Sequence, residues 1–204
     1  SLLDVKMTTG NNNIVIAKRS GKAIRFHESN VRSMGRGATG VRGVRLEDEN
    51  DCVVGFVCIE EDEERDILVV SENGYGKRSN IDEYRTTSRG GKGVKTISIT
   101  EKTGALVGIL SVNNDNDLMI INKSGILIRL DISTLRVMGR ATQGVRLIKL
   151  TKNDMISSIA RIEKVEEDEV DSVESEGVED LGQENSDIVE ESSEDNSSTE
   201  EGEE

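Results

Sequence analysis

The sequence predicts an all-β, propeller-like array of about three four-stranded antiparallel blades, followed by a disordered acidic tail. Three observations carry that expectation: a threefold internal repeat, four short β-branched runs in each copy with no long 3.6-residue stripe, and a sharp change of charge near residue 165.

The repeat is anchored on glycines in short polar turns. Gly21 (Arg19-Ser20-Gly21-Lys22), Gly74 (Glu72-Asn73-Gly74-Tyr75) and Gly125 (Lys123-Ser124-Gly125-Ile126) stand 53 and 51 residues apart. Seven residues before each begins an apolar run, Ile14-Val15-Ile16, Ile67-Leu68-Val69-Val70 and Leu118-Met119-Ile120-Ile121. After each anchor the copies keep step without a gap for 25 positions, through Gly40, Gly93 and Gly144 and the valine that follows each. Third runs (Val44-x-Leu46, Ile97-x-Ile99, Ile148-x-Leu150) and fourth runs (Val53 to Val57, Leu106 to Leu110, Met155 to Ile159) complete the units. Ser-Gly and Asn-Gly suit tight hairpins, where positive φ is needed. The units are read as 14–66, 67–117 and 118–165, with 1–13 as the end of a preceding blade. Each blade would bury its faces on its neighbours; a sandwich is the alternative, but it gives no reason for a unit recurring in register.

The charge split separates a body from a tail. Of 40 acidic residues, 19 lie in 166–204, which holds no basic residue; the body therefore sets 26 basic residues against 21 (40 − 19), a net of +5. Like-charge repulsion and little apolar area predict disorder for the tail. No run approaches the ~18–20 apolar residues of a membrane span, and there is no signal pattern, so a cytoplasmic setting is expected. Cys52 and Cys58 are too few for a disulfide framework and are expected to be small core residues. Two Cys and one His cannot build a four-ligand zinc site. No catalytic, metal or cofactor constellation is present in the sequence. Tyr84 aligns with Val31 and Leu135 and reads as core; Tyr75 reads as exposed packing just past a turn. His27, aligned with Asn80 and Asp131, reads as a polar strand end, and Asn113 to Asp117 as a plain turn.

Arginine recurs as faithfully as glycine. Counting from the anchor, Arg25, Arg78 and Arg129 stand at +4; Arg32, Arg85 and Arg136 at +11; Arg36, Arg89 and Arg140 at +15; and Arg42, Lys95 and Arg146 at +21. Equivalent positions occupy equivalent places in equivalent blades, so these cations are expected to form a band on one rim. The acidic residues of the body fall in other loops, Glu47 to Asp51, Glu60 to Glu64, and around Asp115 and Asp117. Guanidinium groups match phosphate oxygens, and the loops Gly35 to Gly40 and Arg89 to Gly93, with Lys92, allow close backbone approach. The expected ligand is duplex DNA without sequence preference. The +21 side chains share strand parity with inward residues, so their stems are expected to pack while the heads reach water.

The segments Val31 to Arg45 (VRSMGRGATGVRGVR), Asn73 to Arg78 (NGYGKR), Ser88 to Val94 (SRGGKGV) and Val137 to Leu147 (VMGRATQGVRL), with the acidic tail, resemble the C-terminal domain of the DNA gyrase A protein. The resemblance implies the last three blades of a six-bladed β-pinwheel that wraps DNA around its outer edge and supports ATP-dependent negative supercoiling. It implies partners in the gyrase A core and gyrase B, with ATP and Mg used by the parent enzyme and no catalytic tyrosine in this chain. The family's glycine-rich box, Gln-Arg-Arg-Gly-Gly-Lys/Arg-Gly, is matched nearest by Thr87 to Gly93, which departs at its first two positions. The related topoisomerase IV C-terminal domain is one alternative; a propeller-like scaffold binding an acidic protein is the other. The charge split also predicts that the tail competes for the basic rim. Ending the chain after Glu163 should tighten duplex binding at fixed salt, measured by anisotropy; equal affinities would leave the tail a passive solubiliser.

Overall fold

A computed structural model of the chain describes residues 2–164; the acidic tail and its competition for the rim lie outside the described residues. Residues 2–11 form no strand. The first hairpin joins β1 (Asn12–Lys18) to β2 (Lys22–His27), so Asn12 and Asn13, read from sequence as part of a preceding blade, begin the first sheet. The second hairpin joins β4 (Asp66–Ser71) to β5 (Tyr75–Asn80), and the third β8 (Asn116–Asn122) to β9 (Leu127–Asp131). All three turn on the anchor glycines, whose φ of 76°, 76° and 87° is the left-handed region a side chain disfavours. The fourth apolar run of each copy forms β3 (Val53–Glu60), β7 (Leu106–Val112) and β11 (Ile156–Glu163), each antiparallel to the first strand of its own hairpin.

The remaining strand is not where the sequence placed it. The third run does not complete its own blade. The two residues just ahead of it in copies two and three form β6 (Val94–Lys95) and β10 (Val145–Arg146), which pair with β2 and β5 of the preceding copy. The sheets therefore run β3-β1-β2-β6, β7-β4-β5-β10 and β11-β8-β9, two of four strands and one of three. Each four-stranded blade is closed by a strand lent from the next copy. Two further bonds repeat at each junction: Thr96 N–H donates to the Gly21 carbonyl at 2.9 Å, and Leu147 N–H to the Gly74 carbonyl at 2.8 Å.

Packing follows the same order. Strand β7 lies against both β3 and β11. Strand β4 shows why its sequence is uninterrupted Ile67-Leu68-Val69-Val70. Ile67 and Val69 enter a core with Val15, Val57, Ile59, Ile97 and Leu106, while Leu68 and Val70 enter a second with Leu118, Ile120 and Ile132. A central blade is buried on both faces, so the two-residue alternation of the pleat divides its side chains between two cores. Each such aliphatic side chain contributes about 1.5–3 kcal/mol.

His27, Asn80 and Asp131 share one task. Each accepts the N–H two residues on, from Ser29, Asp82 and Ser133, and so caps a single 3-10 turn at the end of its hairpin. Tyr84 is fully buried, as expected from its alignment with Val31 and Leu135. Two other expectations fail. Cys52 is exposed and Cys58 only half-buried; Cys52 precedes β3 and contributes its carbonyl, which accepts from Arg19 N–H at 2.8 Å. Tyr75 is 7% exposed instead of lying on the surface, because the strand lent from the third copy covers it.

Strand lending gives the glycine at +19 its reason. A Cβ on Gly93 would stand 2.5 Å from the Ala23 carbonyl oxygen, and one on Gly144 2.5 Å from that of Gly76, both at positive φ. Gly40, the same position in the first copy, has positive φ and no atom within 4 Å of a built Cβ. Gly40→Ala should cost only the backbone term, roughly 1–2 kcal/mol, while Gly93→Ala should cost clearly more. Urea denaturation of the two variants compares them, and equal losses would contradict the lent strand.

Candidate nucleic-acid interface

The thirteen cations singled out by the repeat fall into three groups. At +4 the side chains turn inward. Arg25 Nε donates to Asn13 Oδ1 at 3.1 Å, and its Nη1 donates to the carbonyls of Ile81 (3.0 Å) and Tyr84 (3.3 Å) in the next copy. Arg78 repeats this one blade on. Its Nε meets Asp66 Oδ2 at 2.5 Å, and Nη1 donates to Asn114 Oδ1 at 2.7 Å and to the Ile132 carbonyl at 3.4 Å. Asn13 and Asp66 are equivalent residues, as are Ile81 and Ile132, so the tie is as repetitive as the fold. Arg129 keeps the first half, Nε to Asp117 Oδ2 at 2.5 Å, but its side chain is 57% exposed.

Arg25 and Arg78 therefore do not belong to an outer band; this corrects the reading from spacing. They point into a recess walled by the loops Glu60 to Asp66 and Asn113 to Asp115. The separation of positive and negative loops read from the sequence thus fails at +4.

At +15 the arginines are half committed. Arg89 Nε donates to the Asn30 carbonyl at 2.9 Å and Nη1 to that of Arg42 at 3.1 Å; Arg140 Nη1 donates to the equivalent carbonyl, Lys95, at 3.0 Å. These ties run back from the later copy to the earlier one. Arg36 is exposed. The remaining donors of each planar fork stay available, since a guanidinium carries five.

The third group faces water without a carboxylate partner. Arg32, Arg85 and Arg136 at +11, Lys92, and Arg42, Lys95 and Arg146 at +21 are all exposed. Among the described residues none of the seven is in an ion pair. Lys95 and Arg146 lie on β6 and β10, at the opposite edge of their sheets from β3 and β7, whereas Arg42 lies in a loop.

Two buried lysines escaped the repeat-based reading because each breaks it. Lys77 stands where the other copies have Ile24 and Ile128. Its Nζ donates to the Gly139 carbonyl at 2.6 Å and to Thr142 Oγ1 at 3.4 Å, bracing the glycine-rich loop of the third copy. Burial pushes its pKa down to about 8, opposed by nearby Glu83 and assisted by nearby Arg140. Lys18, aligned with Ser71 and Asn122, is fully buried, with Nζ 2.9 Å from Glu47 and 3.3 Å from Asp51 and donating to the Arg45 carbonyl at 3.0 Å. Departure from the copies was the available signal for both.

The comparisons with known proteins follow the repeat. The family described as "DNA gyrase C-terminal domain, beta-propeller" matches residues 13–60, 65–113 and 116–163, one match per copy. The chain belongs to that family. Among curated relatives, the DNA gyrase A protein of Staphylococcus epidermidis is 46% identical over 160 residues, and that of Staphylococcus aureus 45%. Those alignments cover 78% of this chain and 18% of the relatives' length, so the chain spans less than a fifth of them. A solved structure of a DNA gyrase A C-terminal domain superposes with a TM-score of 0.68 at 27% identity, covering 76% of this chain and 52% of that one. The C-terminal domain of a DNA topoisomerase IV shares the fold, with a TM-score of 0.72 at 22% identity, over 78% of this chain and 49% of that one. The beta-propeller description agrees with the all-β architecture expected from the sequence.

Within this gyrase C-terminal domain, equivalent arginines do unequal structural work. Arg78→Ala strands Asp66 in a buried setting and should cost about 3 kcal/mol or more. Arg129→Ala also removes the partner of a buried carboxylate, Asp117, but breaks no tie to a neighbouring copy, and should cost clearly less than Arg78→Ala. Chemical denaturation separates the two, and similar losses would refute the assignment of Arg78 as a tie between copies.

Proposed function

We propose that the chain is a non-catalytic DNA-wrapping module whose exposed cations hold duplex phosphates, without sequence preference, along the outer edge of successive blades. Arg32, Arg36, Arg42, Arg85, Lys92, Lys95, Arg136 and Arg146 make the contacts; Arg89 and Arg140 add their uncommitted N–H groups; Arg129 is peripheral. The observation that carries this reading is the recurrence of cations without a carboxylate partner at +11 and +21 in every copy, while Arg25 and Arg78 at +4 are spent on structure. A purely structural arginine repeat would show the +4 pattern throughout. Side chains that keep a full charge, have no carboxylate partner and recur at one position per blade are suited to a polyanion of regular charge spacing.

Eight phosphate contacts correspond to a log–log salt slope of about −7 for duplex binding. Bending 20–30 base pairs costs roughly 1–6 kcal/mol, which contacts spread over several blades can offset. Within a longer gyrase A chain the module would bring the bent duplex to the gyrase A core and gyrase B. ATP and Mg would serve those parts, and this chain would need no cofactor.

The decisive variant is Arg32→Glu, Arg85→Glu and Arg136→Glu together, since these side chains support no hydrogen bond that the fold requires. Affinity for a 30-base-pair duplex should fall at least about tenfold at 0.1 M salt, and the salt slope should flatten by about 3. Wild-type affinity in the triple variant would overturn the rim. Loss of binding to an acidic protein, with duplex affinity weak from the start, would favour the scaffold reading instead.

A further inference from the structure

One cluster at the junction of the second and third copies is absent from the rest of the described residues. Tyr75 opens β5 opposite Arg146 of the lent strand β10. Arg146 donates to the phenol oxygen from Nε at 3.2 Å and from Nη2 at 2.9 Å, and its Cζ stands 5.5 Å from the ring centroid. Lys102 Nζ stands 5.4 Å from the same centroid. Two cations thus share one ring, at the separation where the quadrupole attracts them. They border, with exposed Lys149, an open recess of about 370 Å³.

Lys102, Arg146 and Lys149 have no ion pair among the described residues. The one carboxylate lining the recess, Asp154, is occupied by Asn122 at 2.5 Å, by the Ser124 hydroxyl at 2.9 Å and by the N–H groups of Met155 and Ser124. The Tyr75 hydroxyl accepts from Arg146, yet its own proton meets no acceptor among the described residues. Three cations without an ion pair, outnumbering the one carboxylate of the recess, and an unused O–H donor make a cradle for an oxyanion. The hydrogen bond from Arg146, together with the charges of Arg146 and Lys102, holds the phenol below its ordinary pKa even though burial opposes this, as expected where positive potential is concentrated.

The equivalent places elsewhere are built differently. In the first blade Lys22 faces Lys95 across the strands, and Lys22 is held by Glu47 at 3.1 Å. In the third copy the tyrosine position is Ile126. We infer that Tyr75, Lys102, Arg146 and Lys149 form a phosphodiester-binding cradle that fixes the duplex at one point on the rim, with Tyr75 positioning both cations. The inference rests on the DNA-binding reading and adds a fixed register to it, one strong contact among many interchangeable ones.

The test uses the full chain with a 30-base-pair duplex, and inorganic phosphate as the second probe. Lys102→Glu alters an exposed side chain; Tyr75→Phe keeps the ring and removes the hydroxyl. Lys102→Glu should weaken duplex binding about three- to tenfold and flatten the salt slope by about 1 to 2; Tyr75→Phe should weaken it about two- to threefold with an unchanged melting temperature. The chain has two tyrosines, so ¹³Cζ labelling resolves Tyr75, and duplex should raise its phenol pKa toward the ordinary value. Wild-type affinity and slope in Lys102→Glu, beside steep binding by the parent, overturn the cradle and leave the rim intact. No duplex binding by the parent overturns both. A Tyr75 shift with inorganic phosphate but none with duplex makes the site one for a small anion and overturns the duplex assignment.

Discussion

The joining of the three copies depends on the lending of a two-residue strand from the second copy to the first and from the third to the second. β6 and β10 bury little by themselves, and two residues cannot hold a sheet edge alone. What fixes them is the set of contacts arriving with them: the N–H donations to Gly21 and Gly74, the glycines at +19 laid on the backbone of the earlier hairpin, the +4 arginines reaching forward and the +15 arginines reaching back. Neighbouring blades are thereby joined by backbone and guanidinium at once. In a solenoid-like array whose stability is summed over neighbours, such junction contacts decide cooperativity.

The division of labour among the arginines follows from that junction. A +4 arginine starts on the hairpin strand that receives the lent segment, so its head lies where two copies meet and finds carbonyls and carboxylates. Lys95 and Arg146 at +21 ride on the lent strands themselves, at the sheet edges away from β3 and β7, and meet water. The repeat aligns both sets equally well, but strand order separates them. Arg129 differs at the same hairpin position: among the described residues no 3-10 turn of a later copy lies over it, and it is largely exposed.

The all-β class, the three hairpins, the glycine turns and the buried Tyr84 were legible because each is written in local pattern. Ile67 to Val70 announces a strand covered on both faces, and Ser-Gly or Asn-Gly announces its turn. Strand lending was not legible. The residues of β6 and β10 follow their glycines in the same register whether they pair within a copy or across copies, and no one-dimensional period distinguishes the two. Cys52 and Tyr75 were misread for a related reason. Burial of a strand end is decided by which neighbour covers it, and for Tyr75 that neighbour was the lent segment. Lys18 and Lys77 show the converse, since residues that break an otherwise faithful repeat mark places where one blade has been adapted.

Such adaptations matter because a uniform rim is a surface without landmarks. If every blade offered the same cations at the same spacing, a duplex could slide along them with little change in energy, as expected of phosphate contacts that carry no sequence information. Lys77 braces the loop of one copy, and Tyr75 gathers two cations at one junction. Both lie between the second and third copies, and both use a residue type that the other copies lack. A threefold repeat supplies breadth of contact; a local departure from it can supply position. The physical requirement is modest, because one contact a few times stronger than its neighbours biases where a polymer of equal charges comes to rest.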